Sequence, residues 1–261
     1  MLLKEKMKKG PVYGITCYTG AACVVETIGD WGYDFVYLDL EHGSLDALTN
    51  MERLILSALH SGTSPLVRVA GVHDSVIRQV LEMGAEGVVV PHCRTKEDVL
   101  AIMKNAKSPP MGRRGGESNV RSAAYGTKGF DWMAYTKKTN QDTMVIPMDE
   151  DFEFTENIDE ILSVEGVDAV NFGPVDYALS VGANVGYKIT DDRVENGYRK
   201  LREKAQEKGI GIMAPVVPST TSDLVAAIGR GINMLILGND MYHFQQALKG
   251  MRKEIENVKI K

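Results

Sequence analysis

Residues 74–91 read DSVIRQVLEMGAEGVVVP. The first part sets Ile77, Val80 and Leu81 at the i, i+3, i+4 spacing of one helix face and predicts a helix over Asp74–Met83. Gly84 follows, where an αβ loop needs a residue that takes positive φ without a Cβ penalty. The last part, Gly87–Pro91, is an unbroken apolar run, the pattern of a parallel strand buried on both faces. This helix–glycine–strand unit recurs along the chain. Strands are predicted at Val12–Cys17, Asp34–Asp39, Pro65–Val69, Gly87–Pro91, Met144–Met148, Asp168–Phe172, Gly211–Val216 and Met234–Leu237. Further helices are predicted at Ala47–Ser61, Lys96–Asn105, Asp191–Lys208 and Thr221–Arg230. Gly32, Gly166, Gly209 and Gly231 punctuate the approach to other strands as Gly84 does. Eight such strands point to an α/β fold, a (β/α)8 TIM barrel filling residues 1–261 as one domain, with a doubly wound open sheet as the alternative.

Length and composition agree. A chain of 261 residues suits one barrel, and 44% hydrophobic with 25% charged residues excludes disorder and collagen-like repeats. Thirty basic against 35 acidic residues leave a net charge of −5, without the electrostatic footprint of a nucleic-acid binder. Cys17, Cys23 and Cys93 form no CxxC or zinc spacing and read as free thiols of a reducing, cytoplasmic protein. Neither a membrane-spanning run nor a signal peptide is expected. Lys107–Asp142 is long, glycine-rich and polar, the signature of a functional loop or of extra helices. The terminal segment Asp240–Val258 reads as a helix with Met241, Phe244, Leu248 and Met251 on one side, which covers its own barrel or a neighbouring subunit's.

In a barrel, chemistry gathers at the C-terminal ends of strands. Those ends carry Asp39-Leu40-Glu41-His42-Gly43, Arg68, Pro91-His92-Cys93, Asp149-Glu150-Asp151, Gly173-Pro174-Val175-Asp176 and Asn239-Asp240. Glu150 and Asp176 follow consecutive strands, so they are neighbours on the rim, and two hard oxygen ligands suit Mg²⁺ or Mn²⁺; singly, each is a solvated carboxylate or a helix cap. His42 stands three residues from Asp39, a spacing open either to a carboxylate-oriented general base or to a structural histidine. Arg68 interrupts the apolar run PLVRVA, so its guanidinium is either ion-paired inside the barrel or serves an anionic ligand. The turn after the sixth strand offers the N–H groups of Gly173 and Val175 to an anion. His60, His73 and His243 read as structural or surface residues, and His92 is open. Gly112-Arg113-Arg114-Gly115-Gly116 reads as a solvated basic loop.

In this order, the Asp39–His42 block, Arg68, Gly84-Ala85, Pro109–Gly115, Glu150 and the Gly173–Asp176 block resemble the HpcH/HpaI aldolases, the metal-dependent class II pyruvate aldolases, over about Gly14–Ala247. The resemblance implies a phosphoenolpyruvate/pyruvate-type barrel, a hexamer built as a trimer of dimers, and a last helix exchanged between partners. It implies Glu150 and Asp176 as ligands of Mg²⁺, Mn²⁺ or Co²⁺ and Arg68 as the group that neutralises the enolate oxygen. His42 is implied as acid/base, Asp39 as a supporting carboxylate, and Gly173 and Val175 as backbone donors to the pyruvate carboxylate. Glu82 falls where relatives place an acidic residue reaching the neighbouring subunit's site. The implied reaction splits a 4-hydroxy-2-oxo acid into pyruvate and an aldehyde, in aromatic or sugar-acid catabolism, without a Schiff-base lysine. Competing readings are a citrate lyase-like enzyme on acyl-CoA esters, with Arg113 and Arg114 as its basic patch, and a non-catalytic metabolite-binding barrel. Two departures stand out: Met148 replaces the family's glutamine two residues before the metal glutamate, and Pro147 sits inside a strand.

Overall fold

Eight parallel strands, β1 (Val12–Cys17), β2 (Phe35–Asp39), β3 (Ser64–Arg68), β4 (Gly87–Val90), β5 (Met144–Asp149), β6 (Ala169–Phe172), β7 (Gly211–Pro215) and β8 (Met234–Asn239), pair in sequence order. β8 returns to pair with β1 and closes the barrel, which excludes the open sheet. The computed structural model describes residues 1–43, 47–72, 75–127 and 129–258. The predicted strands all form, within one or two residues of the expected ends. β8 runs on to Asn239, two residues further than its apolar run.

The alternation of each strand builds two cores. Inward side chains, among them Phe35, Tyr37, Leu66, Val89, Ile146, Met148, Met213 and Ile236, fill the barrel. Outward ones, such as Val36, Leu38, Val67, Val88, Val145 and Val170, pack under the helices. Pro147 is tolerated because β5 meets β4 up to the Val90–Pro147 pair and its register with β6 begins only at Met148. The lost N–H therefore falls where the strand changes partner.

In chain order the helices are α1 (Leu3–Lys9), α2 (Ala22–Asp30), α3 (Ala47–His60), α4 (Val76–Glu82), α5 (Lys96–Ala106), α6 (Trp132–Asp142), α7 (Phe152–Glu156), α8 (Ile158–Ile161), α9 (Pro174–Ser180), α10 (Asp192–Lys208), α11 (Thr221–Gly229) and α12 (Asp240–Asn257). Helix α5 starts at a capping box between Thr95 and Asp98. Gly209 ends α10 at φ 67°. The expected start of α4 at Asp74, with His73, lies outside the described residues. The long segment after α5 adds no strand among the described residues, only the 3₁₀ turn Arg121–Gly126 and α6. None of α12 is buried, and Met241, Phe244, Leu248, Met251 and Ile255 are 40–59% exposed. Among the described residues no helix is long and apolar enough to cross a membrane.

Candidate active site

Arg68 enters the barrel from the end of β3 and is only 6% exposed. It survives there because Asp39, at the end of the adjacent β2 and in register with it, meets it as a fork. Arg68 Nε donates to Asp39 Oδ1 at 2.8 Å, and Nη2 donates to Oδ2. Nη1 lies 2.8 Å from Glu41 Oε2, close but out of line for a hydrogen bond. Burial opposes the guanidinium charge; Tyr37, Asp39 and Glu41 overcome it and hold the pKa above its ordinary value. The Asp39–His42 pairing that the spacing left open does not form. Asp39 points inward with the strand alternation, whereas His42 comes three residues later, beyond the strand. His42 Nε2 faces Glu41 Oε2 at 3.9 Å with its side chain 61% exposed, on the wall of the same cavity as Arg68.

The three acidic residues at the end of β5 go three ways. Asp149 turns outward, wholly buried, and accepts from Thr155 Oγ1 at 3.4 Å. Glu150 turns inward, 2% exposed. Asp151 reaches along the rim to Arg94, whose Nε is 3.1 Å from its Oδ2. Burial pushes the Glu150 carboxyl up to about 7, against the N–H and charge of His92, with Glu41 and Asp176 adding to the rise. Asp39 and Glu41 thus flank the Arg68 guanidinium, and the charge of Glu41 links them to Glu150 and Asp176. Among the described residues no cluster of three metal-ligating side chains occurs. Two carboxylates with open positions are the donor set of a hard cation that keeps waters and takes substrate oxygens.

His92 belongs to this rim, and sequence reasoning left it open. Its backbone takes φ 54°, unusual for a side-chain-bearing residue. Its N–H donates to Glu150 Oε1 at 2.8 Å, its Nδ1 lies 3.1 Å from Asp151 Oδ2, and its Nε2 lies 3.4 Å from Glu41 Oε1. Burial works against its charge, but Asp151, Glu150 and Glu41 outweigh it and raise its pKa. Its position after Pro91 at a strand end was the available signal.

The turn after β6 works differently from expectation. Gly173 N–H is committed to Asp149 O at 3.0 Å, because Gly173 continues the β5–β6 ladder. The first turn of α9 instead presents the N–H groups of Val175 and Asp176, which have no intrahelical acceptor. Gly173 matters by lacking a side chain: a Cβ there would lie 2.9 Å from Glu150 Cβ and 3.0 Å from its Oε2. Glu82 is not brought to this pocket. It pairs with Arg78 on α4, at 3.1 Å, and lines a separate hollow with Arg113 and Arg114. The basic pair expected of an acyl-CoA site is therefore also away from this mouth.

The cavity itself measures about 270 Å³. Arg68, Asp176, Gly173 and Val175 stand at its upper level; Tyr18, Tyr187, Asn239 and Tyr242 wall its mouth. Tyr18 is held by Asp240, which accepts from Tyr18 N at 3.1 Å and from Thr19 N at 2.9 Å. One layer deeper lie Thr16, Tyr37, Met148, Asn171 and Ile236. Tyr37 Oη is 3.9 Å from Met148 Sδ and accepts from Asn171 Nδ2 at 3.2 Å. Met148, where the resemblance implies a glutamine, thus meets Tyr37 from across the barrel and stands beside Asn171 of the adjacent β6.

Comparison with known proteins agrees with this geometry. The chain is 28% identical over 248 residues to 2-keto-3-deoxy-L-rhamnonate aldolase of Escherichia coli (strain K12), covering 94% of this chain and 89% of that one. It superposes on the HpcH/HpaI aldolase of Desulfitobacterium hafniense DCB-2 with TM-score 0.88 at 28% identity, over 99% and 98% of the two chains. The citrate synthase SbnG gives TM-score 0.83 at 30% identity, over 98% and 99%. The HpcH/HpaI aldolase/citrate lyase family model matches residues 19–247, and with a closed barrel and an acidic, arginine-centred rim the chain belongs to that family, as a carbon–carbon lyase.

Proposed function

We propose that this chain reversibly cleaves a 4-hydroxy-2-oxo acid into pyruvate and an aldehyde, with a divalent cation held by Glu150 and Asp176. The observation that carries this is a rim where Asp39 and Glu41 meet the buried Arg68 guanidinium while the buried Glu150 faces the charges of Glu41 and Asp176. A cation between Glu150 and Asp176 relieves their mutual repulsion, and oxygen donors admit Mg²⁺, Mn²⁺ or Co²⁺. When bound, such an ion supplies Lewis-acid polarisation of the 2-oxo acid.

The chain's own groups do the rest. The N–H groups of Val175 and Asp176 receive the substrate carboxylate. Arg68, fixed by Asp39 and Glu41, stands ready for the oxygen on which charge develops, so no reorganisation is needed as the enolate forms. His42 takes the proton of the 4-hydroxyl. The C3–C4 bond then breaks, its electron pair becomes the pyruvate enolate, the aldehyde leaves, and C3 is protonated. His42 suits this role better than His92, whose ring is held between Asp151 and Glu41.

The E. coli relative supports a sugar-derived 2-keto-3-deoxy acid as substrate, beside the 2,4-dihydroxyhept-2-ene-1,7-dioate type. The likeness to a citrate synthase supports acyl-CoA chemistry as the competing reading; Arg113 and Arg114 do not line this chain's own cavity but share a hollow with Glu82. We place the protein in the cytoplasm as a hexamer, a trimer of dimers, with α12 exchanged between partners and Glu82 turned towards a neighbour's site. The test is exchange of the pyruvate methyl protons in D₂O, followed by NMR. Exchange is expected with Mg²⁺ or Mn²⁺, and loss of it with chelator or in Glu150→Ala. No exchange under any metal overturns the aldolase reading.

A further inference from the structure

The Gly112–Gly116 loop, which reads in the sequence as solvated, buries one of its two arginines. Arg114 is 6% exposed. Its backbone is fixed on both sides: Arg114 N donates to Lys107 O at 2.8 Å, and Arg114 O accepts from Ser108 Oγ at 3.4 Å. Among the described residues its guanidinium has no ion-pair partner, and the buried Nη2 has no hydrogen-bond partner. Burial holds its pKa below the ordinary arginine value; Tyr135 and Glu82 oppose the fall without cancelling it, and Arg78 adds to it. Glu82 is itself bridged to Arg78 at 3.1 Å. The buried ammonium of Lys107 lies within electrostatic reach of Arg114 as well. A guanidinium does not shed its proton in a protein, so a buried one without a partner calls for an anion.

Arg114 stands on the wall of a hollow of about 560 Å³, bounded by the loop before β4, the 3₁₀ turn Arg121–Gly126 and α6. Glu86 and Thr143 on its wall directly precede β4 and β5, so it lies at the N-terminal end of the barrel, away from the catalytic mouth. Its acidic groups are engaged: Glu86 accepts from Leu3 N, and Asp142 pairs with Lys138. Its two arginines are not. The stem of Arg121 lies over Gly84, 3.6 Å from the place a Cβ there would take, and among the described residues Arg121 has no ion-pair partner. Hydroxyls line the same wall, Ser122 Oγ and Tyr135 Oη being 2.9 Å apart. Ala124 and Tyr125 line it at φ 50° and 54°, a costly conformation for residues with side chains. Two unpaired guanidiniums with hydroxyl donors match a phosphoryl group, which carries about −1.5 to −2 charges at neutral pH and three accepting oxygens. A single carboxylate answers only one of the two. We infer that this hollow binds a phosphoryl dianion, free or esterified to a small organic group, through Arg114 and Arg121. The site is separate from the mouth, and its failure would leave the aldolase reading untouched.

The test is calorimetric titration of the full chain with inorganic phosphate, glycerol 3-phosphate and, as the uncharged control, glycerol, with EDTA present so that no metal ion carries the phosphate. Saturable binding at one site per chain is expected for the phosphates and none for glycerol. Arg114→Gln is expected to abolish it. Arg121→Gln, which changes a half-buried residue of a surface turn and spares the core, is expected to weaken it at least about tenfold, the scale of losing a hydrogen bond to a charged group. Tighter binding of glycerol 3-phosphate assigns the hollow to an ester, and tighter binding of inorganic phosphate to the free ion. Thermal unfolding gives an independent reading: phosphate should raise the midpoint of the wild type and not that of Arg114→Gln. Binding that is undiminished in either variant places the anion elsewhere and overturns the inference. Absence of binding by both phosphates overturns it too, and leaves a carboxylate from another copy of the chain as the partner of Arg114.

Discussion

Gly173 acts in this site through the side chain it lacks. Its φ of −98° is open to any residue, so the demand for glycine comes from the approach of Glu150. Gly173→Ala is expected to leave the barrel folded and to push the Glu150 carboxylate away from Asp176. Calorimetric Mn²⁺ titration should show at least about a tenfold loss of affinity, the scale of disturbing a ligand's support; unchanged affinity would show that Glu150 accommodates the methyl without leaving its place. At this scale the sequence revealed which residues matter better than what they do. Asp39, Arg68, Glu150 and Asp176 stand out because charged groups at the ends of apolar strands need a reason to be there. Their partners depend on which strands are adjacent and which way each side chain alternates. Asp39 consequently turned out to hold Arg68 rather than His42, and the ladder claimed the Gly173 N–H. His92 was obscure because its role lies in its backbone N–H and an unusual φ, neither of which has a sequence pattern.

The segment between α5 and β5 is the element that local reading described least. Its composition announces a long polar insertion, but the placement of α6 depends on contacts far apart in the chain. Lys107 supplies two of them: it is 1% exposed, and its Nζ donates to Asn140 O at 2.8 Å and to Thr143 O. Burial lowers its pKa from 10.5 to about 8, with Asp168 opposing the fall. Below pH 8 the lysine is charged in both folded and unfolded chains, so its unfavourable burial is constant. Between pH 8 and 10.5 the unfolded chain holds more protons at this position, so stability from Lys107 rises with pH. Denaturant unfolding of wild type and Lys107→Met at pH 7.5, 8.5 and 9.5 should show the wild type gaining on the variant, by up to about 1.4 kcal/mol per pH unit. A difference that stays constant would mean that the ammonium is not desolvated in the fold. By contrast the alternating helices and strands around this segment were readable, because a strand buried on both faces and an amphipathic helix each carry their own period.

Closure of the barrel belongs to the whole molecule. Each strand reads the same whether the sheet closes or stays open; only the β1–β8 pairing decides, and it joins the two ends of the chain. The same is true of α12. Its apolar residues at 241, 244, 248, 251 and 255 follow helical spacing, yet none packs into this barrel's core, and Ile255 and Phe244 remain more than half exposed. Among the described residues this stripe has no partner, which fits the proposal that another copy supplies one. Its base is nevertheless tied to this barrel's own mouth, since Asn239 caps the helix at Tyr242 N and Asp240 holds the loop bearing Tyr18. Under the proposed assembly, contacts made by α12 would be tied to the pocket wall at this point. Replacing Phe244 and Leu248 together by aspartate is expected to leave the circular dichroism of the barrel intact while light scattering shows smaller species than the wild-type oligomer. Removing everything after Asp240 should do the same and also loosen the wall formed by Tyr242. A hexamer that survives both changes would place the contacts between copies elsewhere and leave the stripe of α12 without an assembly role.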